Sequence, residues 1–408
     1  MYNMSTFKEK AEKAINKEAA IGLDVDLEEY DQDSIDQHEK IDSLSELNKK
    51  DQEVLQSVGV EPDEENRSAS FLQKDQTPVF ENNMYDGVEI MSVPEALEKH
   101  DWLSDYLWTA VQVDADKYTA KAELGELGGY FIRAEPGVKL DLPVQACMFI
   151  GDRDTIQTAH NIIIAEENSR INIINGCSTA SHVDSAAHIG VSEFFLKKGS
   201  TINFTMVHNW DNHVDVRPRT GVILEDDATY VSNYILAKPV ENIQAYPTAY
   251  CNGKNSRAFF QSILEGHGDS IIDQGSRTIL TGENSSSEMI TRAISHDEST
   301  IYTRGDMHGV SPHVKGHIEC MGLVLSENSK IYSVPELKCD TINMELSHEA
   351  AVGKIAEDQI QYLTARGLTE EEATSMIVRG FFDIDIKGLP EELARTTKKL
   401  IDLSMEGS

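Results

Sequence analysis

Between about residues 104 and 349 the chain alternates β-rich apolar runs with tight polar turns, and the alternation repeats. The turns are of the type Glu/Gly-Asn/Asp-Ser/Thr. Clear copies are Glu167-Asn-Ser-Arg-Ile171, Gly199-Ser-Thr-Ile202, Asp227-Ala-Thr-Tyr230, Gly268-Asp-Ser-Ile271, Glu298-Ser-Thr-Ile301 and Glu327-Asn-Ser-Lys-Ile331. Runs such as Ile162-Ile-Ile-Ala165, Glu193-Phe-Phe-Leu196 and Gly322-Leu-Val-Leu325 precede them. The anchor residues 171, 202, 230, 271, 301 and 331 fall about thirty apart, with one longer interval. Strand, tight turn and strand at a fixed period predict a mainly β fold, a right-handed parallel β-helix whose coils stack about 4.8 Å apart. An antiparallel sandwich also has many short strands, but nothing obliges it to keep a period.

The flanks differ. Up to about residue 100 the chain is acidic and helix-like, and the polar stretch from Glu61 to Gln76 reads as linker or loop. Ser92-Val-Pro-Glu95 forms a capping box that tolerates Pro94 in the first turn and opens a helix through Leu97 and Trp102. Helical pattern returns after about 350. There Thr369-x-x-Glu372 is a second capping box, with Ala373, Met376 and Ile377 on one side of the helix it starts. The expected organisation is an acidic helical region over 1–103, a β-helix over 104–349 and a helical region over 350–408.

A fixed period turns spacing into geometry, since residues one coil apart stack. Cys177 and His208 both lie six residues past their anchors, Ile171 and Ile202, so they are expected to stack and, at an even offset, to point inward with them. Cys147 is thirty before Cys177, and Cys320 lies 28 and 29 before His348 and Glu349. A thiol, an imidazole and a carboxylate brought together make a metal site. The plainer reading is that a lone cysteine is a small core residue and that a His-Glu pair is structural.

Composition narrows the function. The 408 residues, 40% hydrophobic, give length for two or three domains, and no run approaches the roughly 18 apolar residues of a membrane span. The start, MYNMSTFKEKAEKAINKE, has no apolar signal-peptide core, so the cytoplasm is the expected location. A net charge of −34 without a basic stripe argues against nucleic acid as a partner. Five cysteines, odd in number and without CxxC, suit neither a disulfide framework nor a finished ferredoxin-type cluster. No GxxxxGK[ST] loop is present, so the chain is not expected to hydrolyse ATP.

The run from Gly316 to Phe382 resembles the carboxy-terminal part of the SufB/SufD family of iron–sulfur assembly scaffolds. The segments that carry the resemblance are His317-Ile-Glu-Cys320-Met-Gly-Leu-Val-Leu325, Ser333-Val-Pro-Glu-Leu337, Ser347-His-Glu-Ala350, Gly353-Lys-Ile-Ala-Glu-Asp-Gln359 and Gly367-Leu-Thr-Glu-Glu-Glu-Ala373. More weakly it extends upstream through Asn175-Gly-Cys177-Ser and His208-Asn-Trp210, covering about three quarters of the chain. The family's own fold is a β-helix flanked by helices.

The resemblance implies a scaffold, not an enzyme, on which a transient iron–sulfur cluster is built. Cys320 matches the cysteine that holds the growing cluster, Glu349 the carboxylate that assists, and His348 the histidine of the same turn. Cys177 matches an internal cysteine that accepts persulfide sulfur and passes it through the β-helix interior, and Trp210 a tunnel-lining tryptophan. His208 stands where the family has glutamine, Ser347 where it has glutamate, and Phe149 near an expected arginine, so the sulfur route is expected to be lined differently. A single thiolate with imidazole and carboxylate suits a cluster that must leave, whereas four thiolates would keep it. The partners implied are a SufC-type ABC ATPase docking on the helical end, a sulfur donor, apo acceptor proteins, and a second copy or a related chain. The resemblance leaves open the use of a reduced flavin. Two other readings stand beside it: a structural, SufD-like subunit without its own cluster, and a β-helix enzyme acting on polysaccharide. The second is disfavoured by the lack of an export signal and of carboxylates grouped on an outer groove.

Overall fold

The computed structural model describes residues 4–30, 38–210, 213–236 and 238–382. Among them, two largely parallel sheets face each other across a shared apolar interior. In the first sheet, Ala69–Lys74, Val144–Ile150, Arg170–Thr179, Thr201–Asn209, Thr229–Leu236, Arg257–Gly266, Ser286–Ser295, Lys315–Val324 and Glu345–Gly353 run in parallel register. The second sheet includes Tyr130–Ala134, Thr155–Ala165, Ala186–Leu196, Arg219–Leu224, Thr248–Cys251, Ile271–Leu280, Thr300–Gly309 and Lys330–Cys339. The chain climbs from one sheet to the other and back, a parallel β-solenoid of about eight turns with small helical regions at its ends.

Turn chemistry fixes the corners. Asn168, Gly199, Asp227, Asn255 and Asn284 hold φ between 56° and 67° on successive coils, the left-handed region that Gly, Asn and Asp tolerate best. The backbone N–H groups of Asn168, Gly199, Asp227 and Asn255 each donate to a carbonyl of the next coil, at Lys198, Asp226, Lys254 and Glu283. Ser169, Ser200 and Ser256 follow, each donating its hydroxyl to the carbonyl three residues back. Gly268 and Asp297 are left-handed at the opposite corner, their N–H groups donating to side-chain oxygens of the next coil, Asp297 Oδ2 and Ser326 Oγ. The sequence repeat is therefore two interleaved series. Ile171, Ile202 and Tyr230 align with one another in the first sheet, whereas Ile301 and Ile331 align in the second, with Ile272 rather than Ile271 below them. The longer interval between 230 and 271 is the step from one series to the other.

The β-rich part begins earlier than the expected boundary at 104. Ala69–Lys74 lies within the stretch read as linker, and Thr77–Asn83 and Val88–Ser92 within the region read as helical. Ala69–Lys74 lays down the first coil against Val144–Ile150, and the other two strands pair antiparallel and close that end of the solenoid. Phe71 and Leu72 are buried there, along with Ser68, Ser70 and Gln73, whose polarity had suggested a loop. Tertiary burial overrides that local composition.

The outer faces are covered near the amino-terminal end. The helices Met4–Ala14 and Lys117–Leu124 and the segment around Trp108 pack on the second sheet over Ile162, Ile164, Val191 and Phe195. The buried Glu193 carboxylate ties that segment down by accepting from the backbone N–H groups of Trp108, Ala110 and Val111. On the first sheet Val58 sits directly over Gly176, where a Cβ would lie 2.4 Å from it. The helix Val93–Lys99 begins at Ser92 as expected, the Ser92 hydroxyl accepting from Glu95 N–H.

The other end is open. Lys330–Cys339 and Glu345–Gly353 end their sheets, largely exposed. Two helices follow, Glu357–Thr364 and Glu370–Phe382, the second opened by the Thr369–Glu372 capping box in both directions. The remainder of the expected helical region, 383–408, lies outside the described residues. No described helix is long and apolar enough to cross a membrane.

Candidate functional site

Strand register converts the interior into columns. Cys177 sits opposite His208, as the repeat predicted, and both are buried. Cys147 aligns with Gly176 and not with Cys177, whose neighbour on that side is Met148. One residue of slip puts the Cys147 thiol on the other side of its strand. Cys147 and Cys251 are buried thiols pushed up to about 12 by desolvation, and Cys339 is exposed.

Around Cys177 the interior is polar where apolar packing would be expected. The Asn175 amide donates to Cys177 Sγ at 3.2 Å and lies 3.1 Å from Met206 Sδ. The Cys177 thiol reaches Met206 Sδ at 3.5 Å. Burial pushes this thiol well above the ordinary cysteine range, and the Asn175 donor works against that shift. His208 is held down to about 3 by burial and by the nearby His188. Its Nδ1 accepts from Trp210 Nε1 at 2.7 Å, so the proton of the neutral ring is on Nε2, which is buried without a hydrogen-bond partner among the described residues. The Trp210 ring lies 5.2 Å from that of His188, itself pushed down to about 4 by burial and bonded through Nδ1 to Gln157 Oε1 at 2.9 Å. The Tyr234 ring lies 4.9 Å from that of His208, inclined by 51°, and its hydroxyl is also buried without a partner among the described residues. A buried orphan donor costs about 1–3 kcal/mol, so this chamber is kept polar at the expense of stability.

Cys320 lies on Lys315–Val324, buried, in the column that contains Asn175. From Asn175 the column runs through Met206, Tyr234, Ser262 and Thr291 to Cys320 and Ala350. Five coils separate the Cys177 level from Cys320, about 24 Å at the usual strand spacing. Burial raises the Cys320 thiol, opposed by hydroxyls of Ser333 and Thr303 from the facing sheet and by the charge of Arg292, while Glu319 adds to the rise. These four neighbours were not singled out in the sequence. Ser333, Thr303 and Arg292 lie 13, 17 and 28 residues away in the chain, and only the fold brings them to Cys320; Glu319 is its neighbour on the same strand.

The register places His348 opposite Ile318, Glu349 opposite Glu319, and Ala350 opposite Cys320. The last coil is thirty residues long, not 28 or 29. His348 therefore shares the inward face with Cys320 but stands two positions along the strand. Glu349 is on the outward face, beside Glu319 and the Arg292 that pairs with it. His348 and Glu349 are both exposed, because their strand has no neighbour beyond it among the described residues. His308, His317 and Asp184 have other partners: His308 pairs with Asp340 at 2.7 Å, His317 with Ser347 at 2.9 Å, and Asp184 with Arg153 at 3.3 Å.

Residues 148–381 match the family model described as SUF system FeS cluster assembly, SufBD core domain. An iron-sulfur cluster assembly SufBD family protein of Methanothermobacter thermautotrophicus is 57% identical over 402 residues, 98% of each chain. One of Archaeoglobus fulgidus is 47% identical over 354 residues, 87% of this chain and 95% of its own. Another, of Pyrococcus horikoshii, is 29% identical over 375 residues, 90% of this chain and 84% of its own.

Proposed function

This chain belongs to the SufBD family of iron–sulfur cluster assembly proteins, and we propose that within it the chain is the cluster-bearing scaffold of a SUF-type complex. Sulfur enters at Cys177, travels the interior and meets iron at Cys320, where a transient cluster is built with His348 and Glu349. The observation that carries this reading is the column from Asn175 to Cys320, which keeps polar or sulfur-bearing side chains through Met206, Tyr234, Ser262 and Thr291 inside the solenoid. At its entrance the orphan N–H of His208 is a donor for anionic sulfur, a task the neutral ring performs without a counter-charge. Trp210 walls the chamber and fixes the tautomer of His208.

The open last coil supports pairing with a second chain. Unpaired strand edges together with the exposed Tyr332, Leu337 and Val352 form a surface that another copy, or a related chain, would cover. That pairing brings a second Cys320, His348 and Glu349 close to the first set and supplies ligands the single chain holds apart. A SufC-type ABC ATPase docks on the helices after Ala356, where Tyr362 and Met376 are exposed, and its ATP-driven movement opens the paired edges. The assembly works in the cytoplasm, takes sulfur from a donor protein, with or without a reduced flavin, and hands its cluster to apo acceptor proteins. The outward position of Glu349 favours one alternative, a structural SufD-like subunit that lends His348 to a partner's site.

Anaerobic reconstitution with iron and sulfide separates these readings. Wild type is expected to develop visible iron–sulfur absorption, and Cys320→Ala to lose at least about tenfold of it. Equal absorption in the two removes Cys320 from the role. When sulfur is supplied by a persulfide donor instead of free sulfide, Cys177→Ser is expected to slow cluster formation, and an unchanged rate dismisses the internal acceptor.

A further inference from the structure

Glu265 ends the strand Arg257–Gly266, and His267 is the first residue of the corner that follows. Gly266 pairs with Ser295, so the next position up is His296, whose backbone N–H donates to Gly266 O at 2.9 Å. The two imidazoles stack with ring centroids 4.8 Å apart and planes inclined by 9°. Glu265 Oε1 lies 3.0 Å from His296 Nε2 and 3.7 Å from His267 Nε2. Ligand atoms on a metal with bonds of about 2.0–2.2 Å sit about 3.0–3.5 Å from each other, close to this spacing.

Two polar atoms here lack hydrogen-bond partners. Glu265 has a side chain only 4% exposed, and its Oε2 is buried without a partner, as is His267 Nε2. Burying a carboxylate in this way is costly unless it is paired, and a second unsatisfied nitrogen aimed at the same spot compounds the cost.

We propose that Glu265, His267 and His296 form a mononuclear site for a divalent first-row transition-metal ion, separate from the cluster site at Cys320. Two imidazoles and one carboxylate leave coordination positions open to water or to an exchanging ligand, and a donor set free of thiolate suits an ion that is held and released as the bare metal. His267 and His296 are partly exposed, at 16% and 28% of their side chains, which gives the ion a path to solvent. The site spans the two coils below that of Cys320, at the corner that follows the strands ending at 266 and 295.

The test is anaerobic titration of the full chain with Co2+ in a Cys320→Ser background, followed by visible ligand-field absorption and by equilibrium dialysis. One equivalent is expected to bind with ligand-field bands and no thiolate-to-metal charge transfer. Glu265→Gln, which preserves shape, and His296→Ala are each expected to weaken binding at least about tenfold, with unchanged near-ultraviolet circular dichroism. Metal is expected to raise the melting temperature of the Cys320→Ser protein but not of its Glu265→Gln derivative. Binding that survives both substitutions undiminished, or that shows only a thiolate charge-transfer band, overturns the proposal.

Discussion

At the scale of single residues, the two buried histidines make the chain acid-sensitive in a defined window. His188 and His208 are pushed down to about 4 and about 3, below the roughly 6.5 of an unfolded histidine. Above pH 6.5 both states are neutral and neither residue costs stability through its charge. As pH falls below 6.5 the unfolded chain takes up protons that the folded chain refuses, so stability declines toward the folded pKa values. The loss is about 2 kcal/mol for each histidine at pH 5. Urea unfolding midpoints are expected to fall between pH 6.5 and 4 in wild type, and His188→Gln is expected to flatten part of that slope. An equal slope in the variant would assign the sensitivity to carboxylates instead. The stacking of Cys177 on His208 was legible in the sequence because both residues follow the same kind of corner into the same sheet, at the same offset. The neighbourhood of Cys320 was less so. Its coil is thirty residues long, and a difference of one residue moves a side chain to the opposite face, which is how Glu349 comes to point away from it.

At the scale of elements, the corners carry most of the information that the sequence displays. The Asn-Ser, Gly-Ser and Asp-Ala turns are visible because a left-handed residue is needed at each coil, backed at several of them by a serine that bonds the carbonyl three residues back. The two interleaved series looked like one because both corners solve the same steric problem with the same residues. The first strand escaped notice for the opposite reason: Ser68, Ser70 and Gln73 are polar yet fully buried, satisfied by partners such as Leu142 O, Gln145 and Asp75 O that no local pattern reveals. Glu265, His267 and His296 were also missed, although the signal is present as Glu-x-His with a second histidine 29 residues on, one coil away. Helix caps are local and were legible at both helix starts, although at Ser92 only the hydroxyl-to-Glu95 half of the expected box forms, the Ser92 N–H donating to Glu81 instead. The one at Thr369 offers a test of the proposed ATPase docking. Thr369→Ala removes the hydroxyl that accepts from Glu372 N–H and is expected to loosen the helix Glu370–Phe382 by about 1 kcal/mol, seen as faster amide exchange there. Retention of a SufC-type ATPase in a nucleotide-containing pull-down is expected to fall about fivefold at most. Failure of the wild-type chain to retain it under the same conditions would remove that partner.

At the scale of the whole molecule, the asymmetry between the two ends of the solenoid decides how the chain is used. One end is closed by antiparallel strands and by helices laid over both sheets; the other, among the described residues, stops at two strands of ten and nine residues with unpaired edges. Long uncovered edges of this kind are aggregation sites unless something pairs with them, and natural proteins blunt them with charge, proline or a bulge. Lys330–Cys339 carries Pro335 and Lys338, whereas Glu345–Gly353 has only its own acidic residues, so that edge is the one to be paired. The net charge of −34 works against association of identical chains, which sets a requirement for close apolar contact at the seam. Tyr332, stacked on Tyr302 at 4.9 Å, with Leu337 and Val352, can provide it. Placing lysine at positions 337 and 352 together, as Leu337→Lys and Val352→Lys, is expected to turn a dimer into a monomer in light scattering while leaving far-ultraviolet circular dichroism unchanged. Because His348 and Glu349 lie on that same strand, the monomer is also expected to lose most of its reconstituted visible absorption with Cys320 intact. A monomeric double variant that still builds the full cluster would mean that one chain carries a complete site, and the open end would then need another explanation.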